Sequence, residues 1–145
     1  MELIREDTDY AMRALVYLAI RRKQEPVAAK VLAKAQDIPN DFAHKILRKL
    51  TKAGLTKSYM GSQGGFTLAR SPSQITLLQV VETIQGPVMV RKCCLGLDAC
   101  PRCPSCSVSV KLGELQDTLV KFLENITLDE VLEARYPPQG GDAGQ

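Results

Sequence analysis

Tryptophan is absent from this 145-residue chain, histidine occurs once, and only four tyrosines and three phenylalanines are present. The core must therefore be aliphatic. One histidine excludes metal sites built from two or more imidazoles, as in most zinc hydrolases. No apolar stretch approaches the ~20 residues that span a bilayer, so no membrane partner is expected. The N-terminal MELIREDTDY is charged and lacks the apolar run of a secretory leader, so a cytoplasmic protein is expected. The one glycine-rich segment, GSQGG at 61–65, is followed by neither Gly-Lys-Ser/Thr nor a helix start and is no nucleotide loop. Cysteine is missing everywhere except residues 93–106, CCLGLDACPRCPSC, which hold all five.

That window has two overlapping spacings. Cys94, Cys100 and Cys106 form C-x5-C-x5-C; Cys100, Cys103 and Cys106 form C-x2-C-x2-C, with Pro101 and Pro104 stiffening the links. Thiolates are soft ligands that select zinc, copper(I) or iron–sulfur clusters. A disulfide knot is disfavoured by a reducing compartment. A structural zinc site is compatible with several thiolates at short spacing, and an iron–sulfur cluster is the leading reading. His44 has no second histidine to partner it in a metal site.

Net charge is only +3, but residues 1–72 carry 13 Lys/Arg against 7 Asp/Glu, while residues 73–145 carry 6 against 9. A basic first half joined to a cysteine-bearing second half suggests a polyanion-binding module and a sensing or assembly module. The periodicity in the first half agrees. A helix is expected over 8–23, with Thr8 as N-cap and Ala11, Leu15, Leu18 and Ala19 on one face, widened by Val16 and Ile20. A short helix over 28–35 turns Val31 and Leu32 inward. After a turn at Asp37, Pro39 and Asn40, a third helix capped by Asn40 places Phe42, Ile46, Leu47 and Leu50 inward and ends at Gly54. This is a helix-turn-helix whose second helix would enter the DNA major groove. Asp41, His44 and Lys45 are placed for base edges, and Arg48, Lys49 and Lys52 for phosphates.

LTKSYM at 55–60 and FTLAR at 66–70 flank the glycine-rich turn and read as a hairpin. A hairpin directly after a recognition-type helix is the wing of a winged helix. Its tip, Gly61, Ser62 and Gln63, would approach the minor groove, with Lys57 and Arg70 near phosphates. Thr76 and Gln79 make a capping box for LLQVVETIQ, closed by Gly86 and Pro87. After the cysteines, Val108, Leu112, Leu115, Leu119, Phe122 and Ile126 are spaced 4, 3, 4, 3, 4, the seam of two packed helices. A helix of about 20 residues with little domain left to cover it points to a two-fold homodimer. Thr127 and Glu130 make a capping box for a short last helix.

The expected organisation is mainly α: a winged-helix DNA-binding domain over 1–87, a cysteine-rich loop over 88–106, a dimerisation helix and short last helix over 107–135, and a disordered tail over 136–145.

These motifs in this order resemble the IscR/NsrR-type winged-helix transcription regulators, bacterial dimers that sense through an iron–sulfur cluster. The match is carried by TDYAMRALVYLA at 8–19, ILRKLTKAGL at 46–55, GGFTLAR at 64–70, ITLLQVVETIQGP at 75–87 and the C-x5-C-x5-C cysteines. The resemblance implies that Cys94, Cys100 and Cys106 ligate a 2Fe–2S or 4Fe–4S cluster, and that a homodimer binds a palindromic operator in double-stranded DNA as repressor or activator. In IscR-like members a histidine completes the site three residues after the last cysteine, where this chain has Ser109; in NsrR-like members an aspartate of the partner's first helix does so, and Asp9 stands at the matching place. Cys93 and Cys103 are extra thiols, and Cys103 is a further candidate for the fourth ligand. Many members carry arginine at the start of the wing turn, where this chain has Met60.

The reading is thus a non-enzymatic regulator whose promoter binding responds to redox state, nitric oxide or iron and cluster status. The alternatives are the same DNA-binding fold with a zinc site or thiol redox switch, and a small thiol oxidoreductase or electron carrier using Cys100 and Cys103. Against the last, the proline-flanked cysteines do not open a helix in a sheet-rich fold, as redox C-x2-C sites do.

Overall fold

The computed structural model describes residues 1–21, 25–95 and 100–135, apart from the side chains of Cys94, Leu95 and Arg135. The expected tail at 136–145 and the end of the first helix at Arg22 and Lys23 lie outside the described residues. The helices are α1 (Glu6–Ile20), α2 (Ala29–Gln36), α3 (Asn40–Lys52), α4 (Leu77–Gln85), α5 (Ser107–Asn125) and α6 (Leu128–Arg135). Strands β1 (Thr56–Tyr59) and β2 (Gly65–Leu68) follow α3, and short 3-10 turns occupy Pro72–Gln74, Lys92–Leu95 and Cys103–Ser105. This is a winged helix-turn-helix with a helical C-terminal extension.

Helix α1 buries Ala11, Ala14, Leu15, Val16, Leu18 and Ala19, while Ile20 is exposed. It starts earlier than expected. Arg5 is its N-cap, without a side-chain cap bond, and Thr8 lies inside the first turn. Thr8 is fully buried, and its hydroxyl donates to Gln85 Oε1 at 2.6 Å. A tertiary partner, not the helix end, is what this threonine satisfies.

Two apolar residues of the helix-turn-helix face outward, against expectation. Val31 is 51 % exposed while Leu32 is fully buried. Adjacent residues sit about 100° apart on a helix, and a single-turn-wide contact holds only one of them. Phe42 is 45 % exposed, and Ala43 takes the core position with Ile46, Leu47 and Leu50. The Phe42 ring meets Tyr10 edge-on at 6.0 Å between centroids. Asn40 begins α3 but caps nothing; Pro39 is the N-cap residue. The expected end at Gly54 holds: Gly54 (φ +78) donates to Thr51 O and Leu55 to Leu50 O, a Schellman closure.

The hairpin pairs Thr56 with Leu68 through to Tyr59 with Gly65. Val27, two residues ahead of α2, adds an antiparallel bridge to Phe66. Its amide donates to Phe66 O at 3.0 Å and its carbonyl accepts from Phe66 N at 2.8 Å. The pairing ties the wing to the start of α2.

Helix α4 carries the expected capping box, with Thr76 Oγ1 accepting from Gln79 N and Gln79 Oε1 from Thr76 N. Helix α5 packs on α4 through Leu123, Leu119 and Val120. Helix α6 returns to the first domain: Leu128 is buried in one core cluster with Leu15, Leu50 and Val80, and its amide donates to Ile75 O at 2.8 Å. The last helix is thus part of the winged-helix core. Thr127 Oγ1 accepts from Glu130 N at 3.4 Å.

Gly65 is sterically obligatory. A Cβ there would stand 2.4 Å from the Val27 carbonyl carbon, and the residue sits at φ +152. Gly65→Ala is expected to destabilise the fold by about 1–3 kcal/mol, read as a lower urea midpoint with unchanged slope.

Candidate nucleic-acid face and thiol cleft

The exposed face of α3 carries Asp41, His44, Lys45, Arg48 and Lys52. The order 41, 44, 45, 48, 52 keeps one helix face, and the opposite face is held down by Ala43, Ile46, Leu47 and Leu50. Between this face and the wing runs a groove of about 640 Å³, lined by His44, Arg48, Thr51 and Lys52 on one side and Ser58, Tyr59, Met60, Gly61 and Phe66 on the other. The groove brings together His44, Arg48, Lys52 and Gly61 of the expected DNA contacts. Asp41, Lys45 and Lys57 are exposed outside its lining, and Ser62 and Gln63 line a separate cleft across the wing tip. Arg70 lies at the far end of α3, near the open side of Gly54. Lys49 departs most from the expected role. It is half-buried, and its Nζ donates to the Ile84 carbonyl at the end of α4, at 3.3 Å.

A second cleft of about 450 Å³ lies at the start of α5. Cys93, Cys100, Cys103 and Cys106 all line it, with Arg91, Lys92 and Arg102 adding positive charge and Val108 and Leu112 an apolar wall. Cys106 is the N-cap of α5: its sulfur accepts from the Ser109 amide at 3.4 Å. A helix N-terminus is the favoured end for an anionic sulfur. The Ser109 hydroxyl stands 3.8 Å from Cys103 Sγ. Cys94 lies in the 3-10 turn Lys92–Leu95, and its side chain is outside the described residues. Among the described residues, no three Cys, His, Asp or Glu side chains converge closely enough to hold a single metal ion. Asp9 is on α1, paired with Arg13 Nε at 3.1 Å, and is not among the residues lining the cleft.

Residues 4–134 match the Rrf2 family, described as iron-dependent transcriptional regulators. The chain belongs to the Rrf2 family. It is 31 % identical to Protein aau3 of Rhizobium meliloti over 131 residues, covering 90 % of this chain and 84 % of that one. It is 25 % identical to the HTH-type transcriptional regulator NsrR of Oceanobacillus iheyensis, covering 90 % and 89 %. Among solved structures, IscR of T. potens superposes with a TM-score of 0.74 at 26 % identity, over 96 % of this chain and 92 % of that one. An Rrf2 protein is a DNA-binding transcriptional regulator, not an enzyme. Among the described residues no helix is long and apolar enough to cross a membrane.

The Rrf2 chain also holds a residue that pattern reading missed. Gln116 on α5 is buried, its Oε1 accepting from Val90 N at 2.7 Å and its Nε2 donating to Val88 O at 2.6 Å. It clamps the segment that leads into the cysteines onto the helix that follows them. The only signal was a polar residue one turn after Leu112 on the inward side of the apolar stripe. Ser109 and the cations Arg91, Lys92 and Arg102 were likewise not singled out as partners of the thiols. Gln116→Leu is expected to strand the buried Val88 carbonyl and the half-buried Val90 amide and cost about 1–3 kcal/mol, read as a lowered thermal midpoint, with Gln116→Glu tested alongside to separate volume from hydrogen bonding.

Proposed function

We propose that this protein binds palindromic promoter DNA as a homodimer, and that an iron–sulfur cluster held by Cys94, Cys100 and Cys106 sets its affinity. The observation that carries the reading is the cleft at the head of α5: four described thiols and three cations share one wall-to-wall space, in a protein of an iron-dependent regulator family. The donor set fits the group, since thiolates are the ligands of both cluster types and the arginines and lysine offset their charge. Such a cluster supplies sensitivity to oxygen, nitric oxide or iron loss.

The chain's own residues supply the readout. Val88 and the Gln116 clamp join the cysteine segment to α5. Leu123, Val81 and Val88 form one core cluster that joins α5 to α4. The Ile84 carbonyl at the end of α4 accepts from Lys49 of α3. Movement at the cysteines thus has a packed route to the DNA face. The second half of the dimer would meet the outer stripe of α5, where Val108, Leu115 and Phe122 are 61 %, 46 % and 62 % exposed; Leu112, Leu119 and Ile126 complete the seam at partly buried positions. Two recognition helices about 34 Å apart match one turn of DNA, so a small change in their separation costs contacts at both half-sites. His44 and Arg48 face the groove for base and phosphate contact, with Lys52 beyond them on the backbone.

Two experiments test this. Anaerobically purified protein should be brown, with iron and sulfide near equimolar, and Cys94→Ala, Cys100→Ala and Cys106→Ala should each abolish the oxidant-dependent change in promoter binding; three variants responding as wild type does would sink the reading. Separately, Arg48→Ala should weaken binding to all DNA sequences and reduce the slope of log affinity against log salt by about 1. A salt slope equal to wild type would remove α3 from the phosphate contacts.

A further inference from the structure

We infer that Met60 is an apolar wedge: the wing engages the DNA minor groove by pressing this side chain between base steps, in place of a charged contact. This rests on the DNA-binding half of the reading above and is independent of the cluster.

Residues 58–69, SYMGSQGGFTLA, carry no charge, although Lys and Arg outnumber Asp and Glu by 13 to 7 over residues 1–72. Between Lys57 and Arg70 the wing has no cation to neutralise a phosphate or to enter the negative potential of a narrow minor groove. Lys57 is exposed outside the lining of the α3–wing groove, and Arg70 lies near Gly54. What the wing does present is apolar. Met60 is 95 % exposed at the start of the turn, and Tyr59 before it is 47 % exposed. Single exposed apolar residues are ordinary, but the placement of this one is not. It lines the same groove as His44 and Arg48, on the side where the recognition helix meets DNA. Ser62 and Gln63, the polar residues of the turn, line the separate cleft across the wing tip with Arg21 and Val31. Of residues 60–63, Met60 alone turns a side chain to the DNA side, since Gly61 has none.

The backbone behind Met60 is constrained. The Gly64 amide donates to Gly61 O at 3.0 Å, and Gly61 adopts φ +97. A Cβ at Gly64 would stand 2.3 Å from Tyr59 O, so the turn closes tightly against the residue before Met60. The last pair of the hairpin, Tyr59 with Gly65, immediately precedes Met60, and Phe66 is bridged to Val27. A preorganised turn inserts a side chain at little ordering cost. Proteins that enter the minor groove insert Met, Leu, Ile, Phe or Pro between base steps and kink the duplex, and pyrimidine–purine steps yield most easily. Burying the thioether removes apolar surface from water and releases no counterion from DNA. The wing's share of the affinity is therefore independent of salt, unlike that of Arg48.

The test uses the full chain, both reconstituted anaerobically with iron and sulfide and stripped of them. Wild type first enriches duplexes from a random library of double-stranded DNA, and the enriched duplex is the probe for wild type, Met60→Ala, Met60→Leu and Arg48→Ala. Affinity is read across a range of salt concentrations, and bending from energy transfer between dyes at the two duplex ends, with far-UV circular dichroism as the check on folding. Wild type is expected to bend the duplex by about 20° or more. Met60→Ala should bind about tenfold more weakly with an unchanged slope of log affinity against log salt, and should leave the duplex straighter; Met60→Leu should keep both the affinity and the bend. A straight duplex under wild type overturns the wedge, as does Met60→Ala binding like wild type or losing salt slope as Arg48→Ala does. Met60→Leu losing as much as Met60→Ala overturns it too. A wild-type chain that enriches no duplex in either state overturns the DNA-binding reading itself, and the wedge falls with it.

Discussion

Helix α4 must serve two separate cores from one broad apolar side, and the rest of the molecule is arranged around that requirement. Val80 and Ile84 enter the core shared by α1, α3 and α6, while Val81 enters the cluster formed with Val88 and Leu123 of the far side. Adjacent residues point about 100° apart on a helix, so Val80 and Val81 enter different cores while Glu82 stays exposed, and the capping box at Thr76 and Gln79 satisfies the first turn. The consequence is mechanical. The α3–wing groove and the thiol cleft are each linked to one short rod through these two cores, and cores at native packing density transmit displacement instead of absorbing it.

Two glutamine amides, one half-buried and one buried, mark the ends of that rod's attachments. Gln85 at the end of α4 takes the Thr8 hydroxyl and the Arg5 amide on Oε1 and gives Nε2 to Leu3 O. Gln116 does the same for residues 88–90. Each side chain satisfies backbone groups that no secondary structure covers, and a buried group left unpaired costs more than the bond itself contributes. Glutamine suits both places because one amide offers donor and acceptor together. The N-terminal segment and the approach to the cysteines are thereby each fixed to a helix, and Ile4 of the first packs against the cluster that holds Val88 of the second.

Features written in short-range chemistry were legible from the sequence. The Thr76–Gln79 box, the Gly54 helix end and the hairpin around GSQGG each depend on residues within a few positions, and each formed where expected. The order of motifs was enough to name the family, because a winged helix followed by a cysteine window and an apolar stripe is a specific combination. What failed was non-local. Thr8 looked like a cap and was instead claimed by Gln85, 77 positions away. Lys49 looked like a phosphate contact and was claimed by Ile84. The bridge from Val27 to Phe66 joins segments that no local pattern connects. Phe42 and Val31 were assigned by hydrophobicity alone, but the helix phase was decided by the smaller Ala43 and by Leu32. The side chain of Cys94, one of the three cysteines the family resemblance singled out, lies outside the described residues.

Helix α5 carries two apolar stripes, and their offset explains why both were needed. Leu119, Val120 and Leu123 face α4 with Gln116 one turn earlier, whereas Val108, Leu115 and Phe122 recur every seven residues on the outer side. One stripe is satisfied within the chain; a helix packed on one side only would have charged residues on the other. Single exposed apolar residues need no explanation, but three at a heptad interval on one helix form a continuous ridge about 20 Å long at 1.5 Å per residue. The inner stripe starts at Gln116, and the outer stripe reaches back to Val108, which also walls the thiol cleft. The residue that would begin the seam between two chains is therefore the residue next to the sulfurs, so a change in the cleft acts on the packing of α5 before it acts on anything further away.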